Sequence, residues 1–289
     1  MALPSTDIHG HSPQAKVVLT GADGASAEIH LHGAHVTSWK PAGKGEQLFL
    51  STKSEFGGNA AIRGGVPVIF PQFSLLGPLP RHGFVRNSAW ELLRQTPEEV
   101  TMYFIDTPET RAIWPHSFRL EFTVRLEPNR LEMRLHVINT GATSFAFASA
   151  LHTYLRVDDI ANTTVEGLKD LTYRDANTMA EHVDKAQRID FEREVDRLYY
   201  GAEPRTVTVS DSTHSLTITT GGFPDAVVWN PNKVKSDSMA DMEANGWQRF
   251  VCVEAAAASD QIQLDPTEKW TGQQTLSLND QQTSIAPNP

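Results

Sequence analysis

Apolar and polar residues alternate with a period of two in the middle of this chain, and that alternation constrains the fold more than any other feature. Alternate residues are apolar over residues 118–126 and again over residues 131–137, with Pro128 and Asn129 between the two runs. Because successive side chains of a strand point to opposite faces, the pattern predicts two strands, each with one buried face. The intervening Pro-Asn pair predicts a turn that joins the strands into a hairpin.

Shorter strand-like runs recur along the rest of the sequence. They cover residues 27–31, 36–39, 100–105, 145–157, 206–209, 216–219, 226–229, 249–254 and 275–278. Helical periodicity is weak, and residues 178–185 are the only modest helix candidate. We therefore expect an all-β fold of two packed antiparallel sheets, formed as one domain over residues 1–289, with flexible tails at 1–14 and 279–289.

Charge and composition narrow the range of partners and compartments. The formal net charge of the 289 residues is −10 at pH 7, which argues against non-specific nucleic-acid binding. No apolar run approaches the length of a membrane span, so we expect no membrane partner. The first residues lack the basic flank and apolar core of a secretory signal, and Cys252 is the only cysteine. Both features favour a cytoplasmic protein.

Residues 60–90 combine positive charge with residues that exclude a helix. The segment contains Arg63, Arg81, His82 and Arg86 among several prolines, and Gly64–Gly65 permits positive φ or a close approach of the backbone to a ligand. Cations on such a scaffold suit an anion, because the planar guanidinium fork matches phosphate or carboxylate. The alternative is that each arginine pairs with one of the many carboxylates of the chain.

Three further residues are candidates whose pattern leaves two interpretations open. His152 lies within an apolar strand pattern, where a histidine is more often a core residue than a catalyst. Glu254 ends an apolar strand, and a carboxylate there needs either a salt-bridge partner or a function. Asp196 follows a charged stretch and, on pattern alone, reads as a surface residue. The pattern by itself does not bring the three into one pocket.

Two other kinds of site are weighed against these candidates. One is a metal site, because His30, His32 and His35 cluster in sequence and the first two would share a strand face. No carboxylate or cysteine completes the set, so we expect exposed strand histidines and no metal. The other is a cysteine enzyme, because Cys252 and Glu254 are two residues apart and would therefore lie on the same face of a strand. We prefer the interpretation that Cys252 is a buried, unreactive thiol.

Ten short elements, taken in order, resemble the hexose-6-phosphate mutarotases, also called glucose-6-phosphate 1-epimerases, which are related to the aldose 1-epimerases. They are GAHVTSW (33–39), IRGGVP (62–67), FPQF (70–73), HGFVRN (82–87), WPH (114–116), LHTY (151–154), VDR (195–197), VWNP (228–231), MAD (239–241) and CVE (252–254). The resemblance extends from about residue 33 to residue 278. Each element is weak alone, whereas the ordered set is specific.

The resemblance implies a galactose mutarotase-like β-supersandwich that binds sugar in a cleft on one sheet. It places the catalytic histidine of the family at His152 and the catalytic glutamate at Glu254. The other residues that it suggests for substrate binding are Asp196 and His82 for the sugar and Arg63 and Arg86 for an anion, with Arg81 standing where the family often has glutamine. Lys235 lies close to one of these elements, and we leave its role unassigned.

The function that the resemblance implies is interconversion of the α and β anomers of a hexose 6-phosphate. Opening the ring requires a base at the C1 hydroxyl and an acid at the ring oxygen, and we hypothesise Glu254 as the base and protonated His152 as the acid. We expect a small-molecule substrate, no cofactor and a monomeric protein. The alternative is a catalytically inactive protein that binds or senses a sugar phosphate on the same scaffold.

Overall fold

The computed structural model describes residues 14–57 and 60–279, and β-strands are the main secondary structure in them. The strands are β1 (Lys16–Thr20), β2 (Ser26–His30), β3 (His35–Lys40), β4 (Val68–Ile69), β5 (Glu91–Gln95), β6 (Glu99–Ile105), β7 (Phe118–Glu127), β8 (Arg130–Asn139), β9 (Phe145–Leu151), β10 (Tyr154–Arg156), β11 (Thr164–Glu166), β12 (Thr172–Asp175), β13 (Glu181–Val183), β14 (Arg188–Ile189), β15 (Val195–Tyr199), β16 (Thr206–Ser210), β17 (Ser215–Gly221), β18 (Asp225–Asn230), β19 (Phe250–Leu264) and β20 (Lys269–Leu278). The prediction of an all-β fold is confirmed.

Helices are few and short in the part of the chain that the structure describes. The α-helices are α1 (Pro108–Ile113) and α2 (Asn232–Asp237), and single 3-10 turns lie at Val85–Asn87, Ile160–Asn162 and Gly246–Arg249. Neither α-helix has the length and apolarity that crossing a bilayer would require. The predicted tails at 1–14 and 279–289 lie outside the described residues, apart from the innermost residue of each.

The described strands assemble into three sheets. The small sheet has the order β1-β2-β3, the eight-stranded sheet has the order β13-β12-β15-β18-β19-β9-β4 with β10 also paired to β19, and the nine-stranded sheet has the order β14-β11-β16-β17-β20-β8-β7-β6-β5. All of these ladders are antiparallel, as predicted. The third, small sheet was not part of the prediction.

The two large sheets pack face to face across the main core. Phe147 on β9 meets Trp270 on β20 edge to face, with ring centroids 5.5 Å apart. One face of β19 contributes Val251, Val253, Ala255 and Ala257 to this core. The other face contributes Phe250, Cys252, Ala256 and Ala258 to a second apolar cluster. Because β19 is buried on both faces, its sequence reads as a continuous apolar run rather than an alternating one.

The predicted hairpin is present, and the predicted helix is wrong. Strands β7 and β8 pair from Phe118 opposite Asn139 to Glu127 opposite Arg130, around the Pro-Asn turn. Residues 178–185 contain β13 instead of a helix, and β13 pairs with β12. Those eight residues are too few to stabilise an isolated helix, whereas a neighbouring strand supplies hydrogen bonds to the backbone.

Candidate active site

The second apolar cluster forms the floor of a cleft, and strand periodicity places polar residues on that face. Glu254 lies on β19 between Cys252 and Ala256, which both belong to the cluster. Asp196 on β15 lies opposite Trp229 on β18, and Trp229 lies opposite Cys252 on β19. The cleft face of three adjacent strands therefore carries two carboxyl groups and an aromatic ring.

His152 reaches the same face because the chain is interrupted between β9 and β10. Leu151 pairs with Ala255, and Tyr154 pairs with Cys252, so residues 152 and 153 lie outside the regular ladder. The His152 backbone N–H donates to the Pro67 carbonyl oxygen at 3.0 Å instead. The run predicted as one strand over 145–157 is thus two strands, and the candidate catalytic residue lies at the break.

The segment 62–67 holds this break in place and depends on its two glycines. Gly64 and Gly65 have φ values of 120° and 60°. A Cβ on Gly65 would lie 2.2 Å from the Val36 carbonyl oxygen, and the Gly65 carbonyl accepts from the Tyr154 N–H at 2.9 Å. Positive φ was one of the two expectations for this pair. The close approach is to neighbouring backbone and not to a ligand site.

His152 and Glu254 form a buried pair at the floor of the cleft. Nε2 of His152 lies 3.4 Å from Oε1 of Glu254. The residues are 8% and 2% exposed. Burial, with the nearby charges of Arg63 and Arg86, lowers the pKa of the His152 imidazole to about 3. Burial and the neighbouring Asp196 raise the pKa of Glu254 well above its usual range.

These pKa directions decide where the shared proton rests in the empty cleft. A protonated Glu254 beside a neutral His152 carries the same total charge as an ionised Glu254 beside an imidazolium. Burial favours the neutral form of each group, so the proton rests on Glu254. The two arrangements differ by one proton transfer over a short distance. The pair is therefore able to act as an acid at one atom and a base at another.

Asp196 lies beside a lysine that also binds a second carboxylate. Lys235 Nζ lies 3.5 Å from Asp196 Oδ2 and 2.6 Å from Glu194 Oε1. Burial raises the pKa of Asp196 although Lys235 opposes the shift. Asp196 is not the surface residue that its sequence context suggests, because β15 turns it toward the cleft. Lys235 is positioned to orient Asp196.

The three arginines of the 60–90 segment all line the cleft, and only one of them has a carboxylate partner there. Arg63 donates to Asp241 Oδ2 through Nε at 3.1 Å, and its NH2 lies 3.0 Å from the same oxygen. Arg86 NH2 donates instead to the backbone carbonyl of Arg81 at 3.0 Å. Burial, with the charges of Arg63 and Arg81, lowers the pKa of Arg86 to about 10. The described residues thus leave positive charge uncompensated in the cleft.

Arg81 acts on the carboxyl groups as well as on the other cations. Its charge opposes the raised pKa of Glu254 and that of Asp196. It also contributes to the lowered pKa of Arg86. Arg81 is therefore close enough to interact electrostatically with Glu254, Asp196 and Arg86. Its positive charge favours the ionised form of the two carboxyl groups and also favours binding of an anion.

His82 is held in one orientation close to His152. It is 6% exposed and has a φ of 66°, in the left-handed region. The Ser74 backbone N–H donates to Nδ1 at 3.2 Å, so the neutral ring carries its hydrogen on Nε2. Burial and the adjacent His152 hold the pKa of His82 well below its usual range. The centroids of the two imidazole rings lie 5.6 Å apart.

The cleft has a volume of about 630 Å³, within the usual range for small-molecule sites. Its lining includes all seven residues expected from the sequence: Arg63, Arg81, His82, Arg86, His152, Asp196 and Glu254. Tyr154, Trp229 and Arg174 also line it. The first two lie in elements that resemble the family, yet they were given no role. Arg174 carries no signal that sequence reasoning could use.

The histidine cluster and the cysteine do not form alternative sites. His30, His32 and His35 are 6%, 8% and 1% exposed, so the expectation of exposed strand histidines is wrong. Strand β2 ends at His30, and His35 lies 2.7 Å from the Gly64 carbonyl oxygen through Nε2. Over the described ranges, no group of three candidate ligands is placed to hold a metal ion. Cys252 is buried, and burial raises the pKa of its thiol.

Comparison with known proteins identifies relatives that cover most of the chain. The sequence profile of the aldose 1-epimerase family matches residues 15–277. A provisionally assigned glucose-6-phosphate 1-epimerase from Cenchrus ciliaris is 39% identical over 277 residues, which span 91% of this chain and 84% of that protein. The crystal structure of a provisionally assigned mutarotase from Salmonella typhimurium has a TM-score of 0.80 at 33% identity, over 89% of this chain and 88% of the other.

A more distant structure bears on the fold alone. A galactose mutarotase-like protein from Lactobacillus casei has a TM-score of 0.73 at 17% identity, over 92% of this chain and 100% of the other. The predicted galactose mutarotase-like architecture is confirmed by this likeness and by the antiparallel sheets.

Proposed function

The chain belongs to the aldose 1-epimerase family, and from that premise we propose that it interconverts the α and β anomers of hexose 6-phosphates such as glucose 6-phosphate. The observation that carries the proposal is the His152–Glu254 pair, with 3.4 Å between Nε2 and Oε1, in a cleft that also contains three guanidinium groups. The pair supplies an acid and a base, and the guanidinium groups supply charge for a phosphate.

The ring opens by two proton transfers at atoms bonded to the same carbon. Ionised Glu254 takes the proton of the C1 hydroxyl, protonated His152 gives a proton to the ring oxygen, and the bond between C1 and that oxygen breaks to leave an aldehyde. Rotation about the C1–C2 bond then presents the other face of the carbonyl. The ring closes as Glu254 returns its proton and His152 regains one. The open-chain state leaves the pair with the proton on Glu254, the arrangement that burial favours in the empty cleft.

The remaining cleft residues bind parts of the substrate that do not react. Arg63 and Arg86 bind the phosphate, because paired guanidinium groups match its oxygens and one of them has no carboxylate partner. Asp196 and the Nε2 hydrogen of His82 bind sugar hydroxyls. Binding energy from the phosphate then orients C1 over the acid–base pair.

The proposal extends to the form and location of the protein. The substrate is a small molecule, and neither a metal nor an organic cofactor is needed for proton transfers of this kind. The unpaired, buried Cys252 fits the reducing conditions of the cytoplasm, where we place the activity. A monomer suffices, since one cleft lined by one chain holds every group that the mechanism uses.

Two-dimensional NMR exchange spectroscopy of glucose 6-phosphate tests the proposed reaction. In the presence of the protein, cross-peaks between the α and β anomeric protons should grow at mixing times where the free sugar shows none. Binding of glucose 6-phosphate without such cross-peaks would instead identify a catalytically inactive sugar-phosphate binder. A protein that neither binds nor exchanges the sugar would refute both.

A further inference from the structure

We propose that Tyr154 is a positioning residue that joins the anion-binding Arg63 to the His152–Glu254 pair, so that an anion bound at Arg63 promotes catalysis at C1. The inference rests on the proposed function, and it adds a link between binding of the phosphate and acid–base catalysis. The phosphate would then do more than anchor the substrate, because its binding at Arg63 would make His152 easier to protonate.

The Tyr154 hydroxyl fixes one side of the Arg63 guanidinium. Tyr154 is 2% exposed, and its hydroxyl oxygen accepts a hydrogen bond from Arg63 NH1 at 2.9 Å. Asp241 holds the opposite side through Nε and NH2. Burial alone would lower the pKa of Arg63, but Tyr154 and Asp241 together raise it. The guanidinium therefore stays charged and has little freedom to turn.

The ring of the same tyrosine fixes the imidazole. The rings of Tyr154 and His152 stack with centroids 4.9 Å apart and an interplanar angle of 12°. Trp229 meets both rings edge to face, at 5.9 Å from Tyr154 and 5.8 Å from His152. The Phe250 ring also packs against Tyr154, with ring centroids 5.1 Å apart. A rotation of His152 would therefore require Tyr154 to move, and Tyr154 is bonded to Arg63.

Arg63, held in place by Tyr154, also acts on His152 through space by its charge. After burial, Arg63 and then Arg86 are the largest causes of the low pKa of His152. An anion bound to these two arginines offsets their charge and makes the imidazole easier to protonate. Arg81, His82 and Glu254 are the other titratable groups close to the ring. A phosphate at the arginines thus shifts the shared proton toward the acid that ring opening needs.

Tyr154→Phe removes the hydroxyl and keeps the stacked ring, so it tests the link. The ratio of kcat/KM for glucose 6-phosphate to kcat/KM for glucose should fall about tenfold, the usual effect of losing one hydrogen bond to a charged group. Sulfate, a dianion too weakly basic to catalyse the exchange itself, should speed the exchange of glucose by the wild-type protein. It should do so far less for Tyr154→Phe. A merely structural tyrosine would leave both readouts unchanged.

Tyr199→Phe is the matched control. Tyr199 is also buried, and its hydroxyl accepts from Arg197 NH1 at 3.3 Å and donates to Asp184 at 2.6 Å, away from the cleft. This variant should keep the wild-type selectivity and the stimulation by sulfate. If Tyr154→Phe behaves like Tyr199→Phe, the proposed link is overturned.

Two further readouts keep the outcomes distinct. If Tyr154→Phe does not fold, the ring-proton NMR signals of His152 in the wild-type protein supply the test. They should shift when sulfate saturates the cleft, and fixed signals would refute the link. A wild-type protein that exchanges neither sugar would refute the proposed function itself, whereas exchange of both sugars without stimulation by sulfate would refute the link alone.

Discussion

At the scale of the residue, burial determines what the ionisable groups of the cleft can do. His152 and Glu254 are both held toward their neutral forms, and the guanidinium groups of Arg81 and Arg86 line the same cleft. The resemblance predicted His152 and Glu254 as the catalytic pair, which their residue pattern had left open. The pattern of residues 60–90 did predict Arg81 and Arg86 as candidates for binding an anion. Strand periodicity alone gives His152 to the core and Asp196 to the surface, because a break between strands and a pairing between distant strands are not visible in a local pattern.

Glu254→Gln should separate activity from stability. Glutamine has the shape of a protonated glutamate but cannot accept a proton, so turnover should fall by about a hundred- to ten-thousand-fold. The melting temperature should stay level or rise, because the variant removes a buried acid whose ionisation is costly. Glu28→Gln, at an ion pair with Lys16 outside the cleft, is the control for activity. Full activity in Glu254→Gln would remove Glu254 from the mechanism.

The dependence of activity on pH should reflect the two shifted groups. The lowered pKa of His152 moves the acidic limb below the ordinary histidine value of 6.5, and the raised pKa of Glu254 delays loss of the shared proton on the alkaline side. On acidification, the value of kcat/KM should therefore show no fall near pH 6.5. Glucose is the substrate for this measurement, since a phosphate monoester itself titrates near pH 6. A loss of activity on acidification, centred on pH 6.5, would contradict the assignment of His152 as an acid with a lowered pKa.

At the scale of the element, the site depends more on residues 62–67 than on any one strand. This irregular segment is called the strap below. In segment 62–67, the Val66 N–H donates to the Val36 carbonyl oxygen at 2.8 Å, and the Gly65 carbonyl oxygen accepts from the Tyr154 N–H at 2.9 Å. The prolines and glycines of residues 60–90 predicted strand and loop there, which is what the structure has. The residues that hydrogen-bond to the strap could not be predicted from the sequence. They are distant along the chain, and they bond through backbone N–H and carbonyl groups, which do not depend on residue type.

Gly65→Ala should disrupt the strap, with Gly43→Ala as its control. Both glycines have positive φ, which costs an alanine about 1–2 kcal/mol. Only at Gly65 would the new Cβ also meet neighbouring atoms, at 2.2 Å from the Val36 carbonyl oxygen, whereas Gly43 has open space. In thermal unfolding, Gly65→Ala should therefore melt several degrees lower than Gly43→Ala and lose more activity. Equal melting temperatures would show that the backbone of the strap shifts to accommodate the added Cβ at little cost in stability.

At the scale of the whole molecule, local and global charge have opposite signs. The chain carries a formal net charge of −10, yet the cleft concentrates guanidinium groups with few carboxylate partners. The global charge could be read from the sequence, as could the all-β class from the many alternating runs. The concentration of positive charge could be suspected from residues 60–90. Its location beside two carboxyl groups on distant strands of the eight-stranded sheet required the fold.

Ionic strength should therefore affect one substrate and not the other. Raising salt from 0.01 M to 0.15 M shortens the screening length from about 30 Å to about 8 Å. KM for glucose 6-phosphate should rise several-fold over this range, because screening weakens attraction between the phosphate and the arginines. KM for uncharged glucose should stay level. Equal changes for both sugars would mean that charge does not contribute to recognition.

The most direct test of a phosphate-anchored acid–base epimerase is the rate of anomer exchange for glucose 6-phosphate and glucose, measured side by side with the wild-type protein and with Arg86→Ala. Arg94→Ala, at an exposed ion pair with Glu99, is the matched control. Wild-type protein should exchange glucose 6-phosphate more efficiently than glucose, and Arg86→Ala should raise KM for the phosphorylated sugar far more than for glucose. Equal effects on the two sugars, or no exchange of either, would contradict this account.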